Sequence, residues 1–100
     1  MPTTTKVLFR GAASTSSTTL YTVPSATTTV ISNIVVTNTA GSGGTFTLSL
    51  NGTSIATAVA VAANDSVTID LKQVLAATHT ITGLASATTI NFHISGVEIS

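Results

Sequence analysis

His79 and His93 are the only side chains in this chain that titrate near neutrality. Beside Asp65, Asp70 or Glu98 and one of the many serines or threonines, either could serve as the base of a nucleophile, base and orienter set. Hydroxyl residues are so abundant that such a combination is expected by chance. The Gly-x-Ser-x-Gly elbow that would present a serine at a strand-to-helix turn is absent. The sequence therefore predicts no catalytic residue, and the chain is read as no enzyme.

Metal ligation has equally little to stand on. The histidines lie fourteen positions apart, with no ligand pair at zinc spacing, and Asp65 and Asp70 lack the oxygen-rich loop that calcium requires. Asp65 reads as a turn residue with Asx-type hydrogen bonding, and Asp70 as a cap for a following turn. Gly41, Gly43 and Gly44 have neither the spacing nor the following Lys of a phosphate loop, so no cofactor is expected. "NGT" at 51–53 and "NDS" at 64–66 match the glycosylation pattern but read as turns.

The elements that would position any site follow from composition. The stretch from 29 to 62 has no charged side chain, and Thr alone makes up about a fifth of the chain. Threonine is β-branched, so it favours strands, while its hydroxyl lets a strand face water without Lys or Glu. The density of β-branched residues separates this low-charge composition from disorder.

Strand signals recur from end to end. "KVLF" at 6–9 and "TTLYTV" at 18–23 read as strands, the second closed by Pro24. From Thr29 to Thr39 both alternations are apolar, Val30, Ile34 and Val36 against Ile31 and Val35. That pattern predicts a central strand covered on both faces for part of its length. After the "AGSGG" loop, Phe46, Leu48 and Leu50 alternate with Thr45, Thr47 and Ser49 up to Asn51-Gly52, the strongest short hairpin signal. The returning strand runs from Ser54 to Val61, with Ile55, Val59 and Val61 expected on one face.

Asn64-Asp65 makes the next turn, and Val67, Ile69 and Leu71 alternate as a strand. Leu71, Val74 and Leu75 then have the i, i+3, i+4 spacing of one helical turn or an irregular crossover. "THTITGL" at 78–84 reads as a short strand. Ile90, Phe92 and Ile94 form the inward set of a last one, with a bulge or bend expected at Gly96. The sum is an all-β chain: a single antiparallel β-sandwich or jelly-roll-like domain of seven to eight short strands over 18–100. Residues 1–17 form an N-terminal arm and possible edge strand.

Charge and hydropathy exclude several partners. Lys6, Arg10 and Lys72 balance Asp65, Asp70 and Glu98 to a net charge of zero, too sparsely for a patch. Nucleic acid and an anionic membrane both need clustered cations, so neither is an expected partner. No apolar run approaches a membrane span, and "MPTTTKVLFRG" has no apolar region after its charge, which predicts a chain unexported by a cleaved signal. Cysteine is absent, which removes thiolate and disulfide chemistry.

The order "LYTVPSATTTVISNIVVTNTAGSGGTFTLSLNG", followed by "INFHISGVEIS", resembles small structural proteins of tailed bacteriophages over residues 18–100. One departure is visible: Leu75-Ala76-Ala77 runs into Thr78-His79 where such proteins often carry a Gly-Asp turn. The resemblance implies a virion structural protein of the capsid decoration (cement) type. Such a protein would be made in the host cytoplasm, form a homotrimer, and bind the major capsid protein on the outer surface of the head. A tail or tail-fibre component is the alternative, and a small carbohydrate-binding β-sandwich the second. Sparse charge suits such assembly, because surfaces that meet desolvate few ions. The candidate partner-binding segment is Lys6, Val7, Leu8, Phe9 and Arg10, an extended stretch able to add a strand to a neighbour's edge.

Overall fold

The computed structural model describes residues 3–100; Met1 and Pro2, the first residues of the arm read from the sequence, lie outside the described residues. The chain forms eight strands: β1 (Thr3–Ala12), β2 (Thr18–Thr22), β3 (Thr28–Asn38), β4 (Gly44–Leu50), β5 (Thr53–Val61), β6 (Ser66–Leu75), β7 (Thr80–Ala85) and β8 (Ile90–Ile99). They make two four-stranded antiparallel sheets. Sheet I has the order β1-β8-β3-β6 and sheet II the order β2-β7-β4-β5.

This order is that of one long hairpin rolled up on itself. Its tip is the β4–β5 turn, and moving away from the tip the pairs β4–β5, β3–β6, β2–β7 and β1–β8 fall alternately in the two sheets. The result is a jelly roll, the all-β sandwich read from the alternation. The tip forms where the sequence places it: Asn51 and Gly52 take φ of 48° and 84°, the left-handed pair that a type I′ turn needs.

Inward side chains of the two sheets meet in one core. Ile31, Ile34 and Val36 of β3 and Ile90, Phe92 and Ile94 of β8 come from sheet I, Phe46 and Leu48 of β4 and Ile81 of β7 from sheet II, and all nine are fully buried. Phe46 and Phe92 cross the sheet interface edge to face, with centroids 6.1 Å apart at 71°. Each such side chain contributes about 1.5–3 kcal/mol through burial, and these large residues are the main favourable term holding the sheets together.

Several details differ from the sequence reading, and most share one cause, the β-bulge. Ser32 is an extra residue in β3: Ile31 pairs with Gly96 of β8 and Asn33 with the adjacent Ser95. The bulge shifts the inward phase, so Thr29 and Ile31 point inward before it, and Ile34, Val36 and Asn38 after it. Apolar residues on both alternations thus mark a change of phase, and Val30 and Val35 face outward, half-buried. Leu8 is the matching extra residue of β1, and the β3–β6 register also shifts here, skipping Leu71 and Lys72. Three of the four strands of sheet I are therefore irregular at one level. Only β8 runs through regularly, so the bend expected at Gly96 lies in its neighbours.

Gly96 has another role. A Cβ there would strike the Val30 carbonyl oxygen and come within 2.9 Å of Leu8 Cδ1, so the strands can close together only over a glycine.

Residues 71–75 are not a helical turn, because β6 continues to Leu75. The i, i+3, i+4 spacing comes from the irregular stretch inserted in a strand. Asp70 accordingly lies within β6 and caps no turn. In β5, shifts around Ala58 (φ 48°) and Ile55 bury Ala56 and leave Ile55 39% exposed, in place of a shared face for Ile55, Val59 and Val61. The Thr47 hydroxyl accepts the Ala58 N–H at 3.0 Å and so fixes this distortion.

Candidate functional site

The segment singled out for partner binding becomes the edge strand β1, paired on one side only, with β8. Its side chains divide. Leu8 is buried in the core and Phe9, half-buried, packs against it, so neither is free for a partner. Val7 is 45% exposed and Arg10 is exposed; both point outward from sheet I, opposite Ser95 and His93 respectively. Lys6 lies on the inner side, where its Nζ sits 3.3 Å from Glu98 Oε2. Two cations that look alike in sequence therefore differ: Lys6 is held by its own chain, while Arg10 has no ion-pair partner among the described residues.

Beside this edge the bulged level leaves a shallow groove across the outer face of sheet I. Ser95, Gly96 and Val97 of β8 form its floor, with Lys6 and Val7 on one side and Ser32 on the other. The Ser32 hydroxyl donates to the Ser95 carbonyl at 3.0 Å and spans the floor. Farther along the same face, Val97 of β8, Val30 of β3 and Val74 of β6 stand in one cross-strand row, Val74 being 66% exposed. The two edges of sheet I, β1 and β6, thus each carry an exposed valine on the outer side.

Glu98 joins the edge to the second sheet. Tyr21 of β2 donates its hydroxyl hydrogen to Glu98 Oε2 and lies 2.9 Å from Thr29 Oγ1. The Tyr21 hydrogen is committed to the carboxylate, so Thr29 is the donor in that second bond. Thr29 is fully buried and has its hydroxyl satisfied there. The hydrogen bond from Tyr21 is the main cause holding the Glu98 carboxyl below its usual range, with Lys6 adding to it against the opposing effect of burial. Tyr21 is pushed above its ordinary value, first by burial and then by its hydrogen bond to Glu98. The polar groups serve to clasp the two sheets; their carboxylate is neutralised from within.

The other candidate residues do not converge. His93 lies on the outer face of sheet I, and His79 in the turn between β6 and β7, where its Nδ1 accepts the Ala76 N–H at 3.2 Å. In that turn Thr78 takes φ 71°, a conformation costly for a β-branched residue, and its N–H donates to the Val23 carbonyl at 3.0 Å. Asp65 follows the turn at Ala63 and Asn64, and its Oδ1 accepts the N–H of the next residue, Ser66, at 2.8 Å, not that of the residue two positions on that an Asx turn uses. Among the described residues no three His, Asp or Glu side chains gather at metal-binding distance.

Sequence reasoning missed Asn38. It is buried at the end of β3; its amide donates to the carbonyls of Ser42 at 2.9 Å and Val61 at 3.3 Å, and its Oδ1 accepts the Ala40 N–H at 3.0 Å. An Asn following a β-branched run and preceding a Gly-rich loop was the available signal. A polar depression beside it is lined by Thr37, Thr39, Asn64, Asp65 and Ser66. No protein-family model matches the chain, and no curated protein matches it.

Proposed function

We propose that this chain is a structural assembly protein of a virion, a decoration (cement) protein that binds the major capsid protein on the outside of the head and stabilises the shell. The observation that carries the reading is the ten-residue edge strand β1, open on one side and bearing Val7 and Arg10 outward from a rigid jelly roll. Such an edge offers a row of backbone donors and acceptors to a neighbouring chain. The phage resemblance over residues 18–100 supports the same reading, and jelly rolls recur in viral capsid proteins, a fold-level analogy.

A tail or fibre component is the second reading. One observation favours it: the two edges of sheet I run antiparallel to one another, so identically oriented copies can follow each other in a row. The carbohydrate-binding reading loses support from the aromatic residues. Phe46 and Phe92 are buried, Phe9 packs on the core, and the Tyr21 hydroxyl is engaged by Glu98 and Thr29.

The test is to locate the protein by immuno-electron microscopy on particles from the source lysate, with binding to purified heads followed by co-sedimentation. Label distributed over heads is the expected result. Label confined to tails transfers the assignment to the second reading, and particles without label, with the epitope shown accessible, overturn both. Removing residues 2–10 is a poor probe of the edge, because it also deletes the core residue Leu8.

A further inference from the structure

We infer that copies of this chain join head to tail by continuing sheet I, β1 of one copy pairing with β6 of the next. The direction of the strands permits it. Sheet I has four strands, each antiparallel to its neighbour, so β1 and β6 run in opposite senses. A second copy in the same orientation therefore brings its β1 antiparallel to the first copy's β6, and the ladder extends without any change in either fold.

The outward side chains of the two edges are complementary. β1 presents Val7 and Arg10; β6 presents Val74 and Asp70, and all four are exposed. Arg10 and Asp70 each have no ion-pair partner among the described residues. Spacing matches as well as charge. On β1, Arg10 and Val7 are separated by the bulge at Leu8, and on β6, Asp70 and Val74 are separated by the irregular stretch at Leu71 and Lys72. Counted in paired levels, Arg10 to Val7 by way of Phe9 and Asp70 to Val74 by way of Gln73 are two steps each. A register that sets Arg10 opposite Asp70 therefore sets Val7 beside Val74, with the irregular levels of the two strands adjacent and the exposed Lys72 in the β6 stretch between them. Opposite charges and apolar pairs facing across a ladder are the contacts that stabilise a strand pair.

Pairing of two β1 strands about a two-fold axis fits poorly. It would bring the unpaired, outward Arg10 of both copies to the seam with no carboxylate on either β1 strand. The head-to-tail contact is heterologous, so it generates a closed ring or an open row according to the rotation between copies. It takes up the free backbone edge of β1 in every copy but a terminal one, so contact with a larger structure then falls to a terminal edge or to the outer face of sheet I.

The test is sedimentation velocity of the purified full chain over a range of concentrations, with Arg10→Glu, Asp70→Arg, the double variant, and an equimolar mixture of the two single variants. Both residues are exposed, so circular dichroism, and the urea midpoint read at a concentration where the parent is monomeric, should match the parent in every case. The expected result is concentration-dependent assembly of the parent, weakening of about tenfold or more in each single variant, and recovery in both the double variant and the mixture. A parent that stays monomeric at every concentration overturns the inference. So does Asp70→Arg disrupting assembly while Arg10→Glu leaves it intact, which would indicate β6 pairing with β6. Capsids take no part in this measurement, so its failure and that of the virion reading are separate results.

Discussion

At one end of the sandwich Asn38 ties the loop before β4 and the end of β5 to β3 through neutral hydrogen bonds; at the other, Tyr21 reaches across the sheets to a carboxylate that Lys6 also holds. Thr29 and Asn38 mark these two ends on the same strand, nine residues and roughly 30 Å apart at the usual rise of a strand. That is several Debye lengths at physiological salt, so the charged end acts on the other only through the rigid sheet. Both ends solve one problem, joining two sheets where the apolar core runs out. The neutral solution is indifferent to pH and salt, and the charged one is not.

Each end also contains a glycine under close neighbours, and these should give the largest contrast. At the charged end a Gly96 Cβ meets the Val30 carbonyl, which can retreat only by opening β3 from β8. At the neutral end a Gly44 Cβ meets Ile90 Cδ1 at 2.8 Å and Ser86 Oγ at 3.0 Å, both tips of side chains. Gly96→Ala is expected to cost about 3 kcal/mol or more and Gly44→Ala about 1 kcal/mol, read as urea midpoints at constant m. Equal losses would mean that the bulged level of sheet I yields as easily as a side chain.

Asn38→Ala should follow, at about 2–3 kcal/mol, because it strands the Val61 and Ser42 carbonyls and the Ala40 N–H. Every group bonded to the Asn38 side chain is neutral, so the loss should be the same at pH 4 and pH 8. A loss that varied with pH would erase the distinction between the ends.

The contrast explains what the sequence could and could not convey. The β4 strand and the Asn51-Gly52 tip were legible because alternation and positive φ are local properties, and a rolled hairpin needs little else to define its pairing. The bulges at Leu8, Ser32 and Ala58 were not, since serine, alanine and leucine carry no local preference for them. Only the apolar residues on both alternations of β3 recorded the phase change, and they also suit a strand covered on both faces. The edge was legible as an extended segment with two cations. That Lys6 turns inward while Arg10 faces out depends on Glu98, ninety-two positions along the chain, and on the bulge between them. Tyr21 was readable as amphipathic, yet its partners lie on the opposite sheet.

Tyr21→Phe probes the charged end directly and should cost about 2 kcal/mol at pH 7, since it removes a hydrogen bond to a carboxylate and leaves the buried Thr29 hydroxyl without its acceptor. The pH dependence follows from two shifts. Glu98 is depressed in the folded state, so its contribution is present above its ordinary value of 4.5 and is lost as the pH falls through the folded one. Tyr21 is raised, so its contribution is present below 10.0 and is lost as the pH climbs through its folded value. The difference between parent and variant should therefore be flat across the neutral range and shrink at both extremes. A difference that persists unchanged into acid would assign the cost to the stranded Thr29 hydroxyl and not to the bond with the Glu98 carboxylate.

Lys6→Ala should have the smallest effect, within about 0.5 kcal/mol, although Lys6 makes the ion pair of this end. The Lys6 side chain is 47% exposed and Glu98 only 16%, so water and salt screen the ammonium while Tyr21 approaches the carboxylate from the sheltered side. Whatever loss appears should vanish near 1 M salt, where the Debye length falls to about 3 Å, while the Tyr21→Phe loss should persist. A double-mutant cycle between Lys6→Ala and Tyr21→Phe tests whether the two donors act through the one carboxylate. If removing Tyr21 makes Lys6 count for more, they compete to neutralise Glu98 and the end behaves as one unit. Strict additivity, or a Lys6 loss above about 1.5 kcal/mol, would instead mean that the ion pair fastens β1 to β8 by itself, independently of the sheet-to-sheet clasp.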